Sequence, residues 1–201
     1  DLVWYLYYFR EGEEDVRAAL RRIGYTQVLH NQYVAPRYQI FLDLYARPGA
    51  NMGGAMPIDT TFAATNGGWV LPPDGEVVST GEDGAPQVTI ANQSLDGREA
   101  SLLIDATGPS LYTFSADLRS GLPNDDVEVV VACMSPAGME LSVQTAVIPQ
   151  PQGAPVWNRV QATALCPEGT ASLRLALQNQ GFGDVDFRNP TLQTIAVPES
   201  Q

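Results

Sequence analysis

Few side chains in this chain could do covalent or metal chemistry. There is one His, His30, two Cys, Cys133 and Cys166, and no Lys. Without Lys there is no P-loop, no Schiff-base chemistry and no kinase site, since each depends on an ammonium group. One His and two Cys are too few for a conventional zinc site. A Ser-His-Asp arrangement would have to use His30, and no Gly-x-Ser-x-Gly elbow accompanies it. A lone His at the end of an apolar run reads as structural. Carboxylates are plentiful, and glycoside hydrolysis needs two of them across a cleft. The doublets Glu13-Glu14 and Asp125-Asp126, however, fall at a helix start and in a turn. Helix-dipole and turn chemistry explain them there. Asp184 and Asp186 could supply oxygens to a calcium ion; paired Asp on an outward strand face also serve plain solvation. Asn92-Gln-Ser94 matches a glycosylation sequon, a three-residue pattern that arises readily by chance.

The chain of 201 residues carries 23 acidic and 11 basic residues, a formal net charge of −12. A negative field of that size repels phosphate backbones and anionic lipid, which argues against nucleic acid as a partner. With 44% hydrophobic and 17% charged residues, the chain has the composition of a folded domain rather than of a disordered one. No run of about 18 apolar residues spans a bilayer. Leu2 to Phe9 is too short for that and lacks the basic lead of a signal peptide. The start at Asp1, without Met, suggests a piece of a longer protein. Cys133 and Cys166 both fall on the inward phase of strand-like runs. They are either two small buried hydrophobes or a disulfide closing a loop of about 33 residues.

The elements that would position these groups divide by texture. Residues 1–50 hold six of the eleven Arg, seven of the eight Tyr and the only His. They contain one helix signal. Acidic residues at 11–15 precede Val16, Ala19, Leu20 and Ile23 at helical spacing, with Gly24 as the stop. Strands are expected on either side, Leu2–Phe9 and Tyr25–His30, giving a strand–helix–strand unit with a right-handed crossover. Residues 51–57, rich in Gly and Pro, read as a linker. Residues 58–198 read as all-β. Tyr112, Phe114, Ala116 and Leu118 share one face; so do Val127, Val129, Val131 and Cys133; so do Val160, Ala162, Ala164 and Cys166; so do Leu173, Leu175 and Leu177. Further strands are expected at Gln87–Asn92, Leu102–Asp105, Leu141–Val147 and Val185–Phe187. The fold class is therefore mainly β, a jelly-roll or β-sandwich preceded by a small α/β segment.

Trp157, Pro167-Glu-Gly-Thr170, Leu173-Arg-Leu-Ala-Leu177 and Val185-Asp-Phe-Arg-Asn-Pro-Thr-Leu192 follow one another in a recognisable order. Together with Leu111–Gly121 upstream, they resemble jelly-roll carbohydrate-binding modules of the galactose-binding-like superfamily. The resemblance covers roughly residues 60–195 and implies a sugar-binding sandwich. Such modules commonly carry Asp after the last-strand aromatic, near a structural calcium. Arg188-Asn189 stand there in this chain, which puts that site in doubt. Separately, Asp15–Asn31 resembles a segment that follows the last membrane helices of some polytopic, lipid-phosphosugar-dependent glycosyltransferases. That implies a C-terminal extracytoplasmic domain, periplasmic or at the cell surface, with the catalytic carboxylates elsewhere in the parent.

Sugar-binding domains stack aromatic rings on pyranose faces and aim a few polar groups at hydroxyls. Trp69, after Asn66-Gly-Gly in an expected loop, and Phe182, between two glycines, are the stacking candidates. Arg159, Gln161, Arg174, Gln178 and Asn179 are outward polar positions that could line a binding face. Trp157 reads as a rim or core packer. The expected function is non-catalytic binding of a glycan, polysaccharide or lipid-linked sugar, that positions acceptor or product for the parent enzyme. The alternative is a sandwich that braces the membrane part or a protein partner. An exposed cluster of Trp4, Tyr5, Tyr7, Tyr8 and Phe9 would favour that alternative.

Overall fold

A computed structural model describes residues 2–8, 13–35, 38–47, 54–62, 68–73, 76–78, 84–94, 96–120, 127–147 and 156–196. The turn expected at 123–126, with its Asp125-Asp126 doublet, lies outside these, as do Phe9 and Asn66. The chain forms two compact units, residues 1–52 and 53–201.

The first unit runs β1 (Leu2–Tyr8), α1 (Glu13–Arg22), β2 (Thr26–Ala35) and β3 (Tyr38–Ala46). The expected strand–helix–strand is there, but a third strand changes the pairing. The sheet order is β1-β3-β2, with both contacts antiparallel. β1 and β2 therefore never touch. The strand β3 is hard to read because it is apolar on both faces: Leu44 is buried on one side and Phe41 and Tyr45 on the other. The helix ends as its Gly24 requires. That residue takes φ +88°, the Tyr25 amide donates to the Leu20 carbonyl and the Gly24 amide to Arg21. Arg17 reaches from α1 to a fully buried Asp43 at 3.4 Å and donates to the Tyr7 hydroxyl, while the Tyr45 hydroxyl donates to the same Asp43 oxygen at 3.1 Å. Tyr7 is buried and stacks between Tyr5 and Phe41. Of the aromatic cluster, Tyr7 is thus interior and Tyr5 partly buried, while Leu6 between them is exposed; the side chains of Trp4, Tyr8 and Phe9 lie outside the described residues.

The second unit is a two-sheet sandwich. Its strands are β4 (Gly54–Met56), β5 (Glu76–Val78), β6 (Gln87–Asn92), β7 (Arg98–Asp105), β8 (Ser110–Ser120), β9 (Val127–Met134), β10 (Glu140–Val147), β11 (Asn158–Cys166), β12 (Ser172–Asn179) and β13 (Gly183–Ala196). One sheet has four strands, β10-β9-β12-β7. The other has six, β11-β8-β13-β6-β5 with β4 alongside β13. Residues 54–56 were expected in a linker; instead they pair with Leu192–Thr194 and belong to the sandwich. Three Gly and Pro around an otherwise unpatterned triplet hide that strand.

The four alternating inward sets named from the sequence are all buried and meet in one core, joined by Val88, Ile90, Val185, Phe187 and Leu192. Cys133 of β9 and Cys166 of β11 are bridged, tying one sheet to the other at a sequence separation of 33. A second tie is polar. Asn92 donates to the Asn179 carbonyl, and Asn179 donates to the carbonyls of Ile90 and Gly183 while accepting from the Gly181 amide. Both Asn are almost wholly buried, so the Asn92 sequon is an internal hydrogen-bonding residue rather than a glycan acceptor.

Two outcomes follow. Replacing both cysteines by Ala should cost about 3–4 kcal/mol by the chain-entropy relation, seen as a midpoint drop of roughly 6–16 °C in thermal unfolding. In the first unit, burial and the neighbouring Asp43 push the Tyr45 phenol above its ordinary range. The folded state thus holds a proton that the unfolded state releases near pH 10, so stability is intact below pH 10 and falls as the pH rises above it. Phenolate absorbance should show one tyrosine titrating late, and Asp43→Asn should shift it earlier.

Candidate functional site

Because alternate residues of a strand face opposite ways, burying the inward set assigns everything else to two outer faces. On the six-stranded sheet the register aligns outward residues in rows that cross the strands. One row is Arg159, Asp117, Arg188 and Gln87, contributed by β11, β8, β13 and β6. The next is Arg119, Asp186 and Thr89, with Trp157 just ahead of β11. On the other side lie Gln161, Ser115 and Thr191, then Thr163, Thr113 and Gln193.

These groups are held by one another. Arg119 donates through Nε and Nη2 to Asp186 Oδ2, at 3.1 and 2.9 Å, and Thr89 donates to Asp186 Oδ1 at 2.7 Å. Arg159 donates to Asp117 Oδ1 at 3.0 Å, to the Asn189 carbonyl at 2.8 Å, and to the hydroxyls of Ser115 and Thr191. Asn189, at φ +50° in the bulge of β13, donates to Asp117 Oδ2 at 2.8 Å. The half-buried Trp157 ring lies 4.0 Å from the Arg188 guanidinium and 4.7 Å from that of Arg119. Each ion pair is worth little on its own, about 0–1 kcal/mol at a solvated surface. Together they fix planar groups at set angles. Gln87 is 6% exposed, and its Oε1 is buried with no hydrogen-bond donor among the described residues. A buried acceptor left unmade costs about 1–3 kcal/mol.

The residues singled out from sequence scatter over this frame. Arg159 and Gln161 lie on the face just described. Arg174 and Gln178 lie on the opposite face, on the four-stranded sheet. There Arg174 binds Glu99 and Glu140, and Gln178 donates to Glu99. Asn179 is inside, fully used by the Asn92 network. Phe182 is 57% exposed in the loop before β13, away from both rows. Trp69 is 1% exposed. Its indole N–H donates to the Asp59 carbonyl at 2.9 Å, and its ring packs on Phe62 and Phe114. It is a core plug, not a stacking platform, because the Val70–Ser101 bridge lays its segment along the edge of β7. Of the two calcium candidates, Asp184 and Asp186, the latter already accepts hydrogen bonds at both oxygens, from Thr89 and Arg119. Among the described residues no group of three or more His, Cys, Asp or Glu is placed to hold a metal.

Asp117, Arg119, Arg188 and Gln87 escaped the sequence reading. The available signal was the alternation of opposite charges on two strands, Asp117/Arg119 and Asp186/Arg188. Their pairing depends on β8 lying beside β13, which no local pattern shows.

No protein-family model and no curated protein matches the chain. Solved structures do. The CBM22-1–GH10 modules of the Clostridium thermocellum endo-1,4-beta-D-xylanase 10B, complexed with xylohexaose, match with a TM-score of 0.53 at 19% identity over 69% of this chain. The CBM22-1–CBM22-2 tandem of Paenibacillus barcinonensis Xyn10C matches with a TM-score of 0.50 at 13% identity over 80% of it. The chain spans 28% of the first and 57% of the second. At this identity the likeness is one of fold: the neighbours contain carbohydrate-binding modules, and the shared architecture is a β-sandwich.

Trp69→Ala should therefore act on stability rather than on any surface activity. Removing a fully buried Trp costs about 3–5 kcal/mol, measurable as a fall in the denaturant midpoint.

Proposed function

We propose that the sandwich binds a glycan across the outward face of its six-stranded sheet and does no chemistry on it. The observation that carries this is the Trp157 platform, set against Arg119 and Arg188 on a face of mutually fixed polar side chains. The apolar C–H face of a sugar ring stacks on an aromatic surface, while aimed planar groups collect its hydroxyls. The row Arg159–Asp117–Arg188–Gln87 crosses four strands, about 14 Å at the usual strand spacing, so an extended chain of several sugar units is the fitting ligand. Asp117 accepts from Arg159 and the Asn189 amide, and Asp186 from Arg119 and the Thr89 hydroxyl. Neither is set to exchange a proton with a glycosidic oxygen, as hydrolysis requires.

The wider reading places this unit in the C-terminal extracytoplasmic part of a membrane glycosyltransferase, where weak binding raises the local concentration of glycan near the catalytic site. The Cys133–Cys166 bridge supports an oxidising compartment. The bracing alternative draws on the opposite sheet, where Leu103 and Val143 stand exposed on either side of Arg174.

Calorimetric titration with xylohexaose and cellohexaose, and with a lipid-linked oligosaccharide in detergent, tests the reading. Binding should strengthen from disaccharide to hexasaccharide. Trp157→Ala should weaken it at least tenfold, and Arg174→Ala and Phe182→Ala should leave it within about twofold. A blank with every glycan from folded protein would move the assignment to the bracing role.

A further inference from the structure

The sandwich has a second recess, away from both outer faces. An open cleft of about 650 Å³ lies where the sheets part, lined by Met56, Asp105, Ala106, Thr107, Ser110, Tyr112, Thr170, Ala171 and Thr194. Its volume is within the range of small-molecule sites, about 300–1,000 Å³.

Its walls are rigid. The Tyr112 hydroxyl donates to the Thr107 carbonyl at 2.8 Å and accepts from the Thr107 amide at 3.1 Å, pinning the β7–β8 loop. Thr170 donates through its hydroxyl to the Pro167 carbonyl at 2.8 Å, and the Ala106 amide donates to Ala171. Gly108 closes the two loops on each other: a Cβ there would land on the Pro167 carbonyl oxygen. The bridged Cys166 immediately precedes Pro167. Nothing in this frame needs a ligand to form it.

Its lining is unlike the core it opens from. Ser110 and Thr194 stand on the inward phase of β8 and β13, in line with Tyr112, Phe114 and Leu192. The inward positions next along these strands, Tyr112, Phe114 and Leu192, belong to the hydrophobic core. Neither hydroxyl is bonded to another described side chain. The cleft therefore offers Ser110 and Thr194 hydroxyls over the small apolar surfaces of Met56, Ala106 and Ala171. Such a lining fits a compact, hydroxyl-rich molecule with one C–H face. The net charge of −12 disfavours phosphate or uronate.

We infer that this cleft is a second binding site, for a single neutral sugar residue such as a glycan end, independent of the sheet face. The naming of a sugar rests on the carbohydrate reading above; the cleft and its polar lining do not.

Amide chemical-shift mapping of the whole chain tests it with D-xylose, D-galactose and D-glucuronate as single residues, and with xylohexaose. The neutral monosaccharides should shift Thr107, Ser110, Thr170 and Ala171 with saturable millimolar affinity. Thr194→Val, close to isosteric, and Ser110→Ala should each weaken this about tenfold, the loss of one good hydrogen bond to a ligand. Trp157→Ala should leave it unchanged. Shifts confined to the Trp157 face with xylohexaose, and none at the cleft, would overturn the second site while leaving the sheet-face reading standing. Cleft shifts that persist undiminished in both variants, or that glucuronate produces as strongly, would also overturn it. Silence with every probe, from protein whose spectrum is dispersed, would overturn both.

Discussion

The constraint on which the sandwich depends is that a strand cannot choose the direction of one side chain without fixing its neighbours. Burying Tyr112, Phe114, Ala116 and Leu118 on β8 forces Ser115, Asp117 and Arg119 outward. Burying Val185 and Phe187 on β13 does the same for Asp186 and Arg188. The core thus decides which polar side chains make up the outer face. A one-residue slip of β13 would carry Arg188 into the interior, where an unpaired guanidinium is intolerable, and take Phe187 out. The bulge at Arg188–Thr191, where Asn189 takes a left-handed conformation, lets the same strand continue with Leu192 inward and Thr191 outward. It also brings the Asn189 amide onto Asp117.

Two devices inside the sandwich hold that register. The Cys133–Cys166 bridge joins one strand of each sheet. The Asn92–Asn179 network links β6 to β12 across the sheets, using buried groups with few other partners to choose from. A misaligned β12 would leave several of those groups unsatisfied, at about 1–3 kcal/mol each. The polar pair therefore penalises wrong alignments that an all-apolar core would tolerate.

The same constraint explains what the sequence discloses. Period-two runs revealed β8, β9, β11 and β12 and their inward residues, because burial on one face writes an alternation into the chain. The strand β3 is apolar on both faces and carries no such alternation. The strand β4 is too short to show one. The site was harder still. Arg159 and Arg174 look alike as outward residues of neighbouring stretches of sequence, yet they stand on opposite sides of the molecule, because β11 and β12 belong to different sheets. Trp69, flanked by glycine, reads as a loop residue until its segment is seen lying along β7 over the end of the core. Periodicity reports which side of its own strand a residue occupies. It does not report which strands share a sheet, and binding sites are assembled from that second fact.

Charge adds a further argument. The residues from 53 onward contain five Arg, and three of them, Arg119, Arg159 and Arg188, share one face. That face also holds Asp117 and Asp186, so the arginines are largely neutralised where they stand. A bare cationic patch would recruit polyanions; this lattice gains little from them. What it provides instead is orientation. Guanidinium, carboxamide, carboxylate and indole planes are fixed before any ligand arrives, so the entropy of ordering them is not charged to binding. Neutral polyhydroxylated chains are poorly served by net charge and well served by fixed donors and acceptors beside a flat apolar surface. The Trp157 face has that composition, and its ion pairs are better understood as scaffolding for hydrogen-bond direction than as a source of stability.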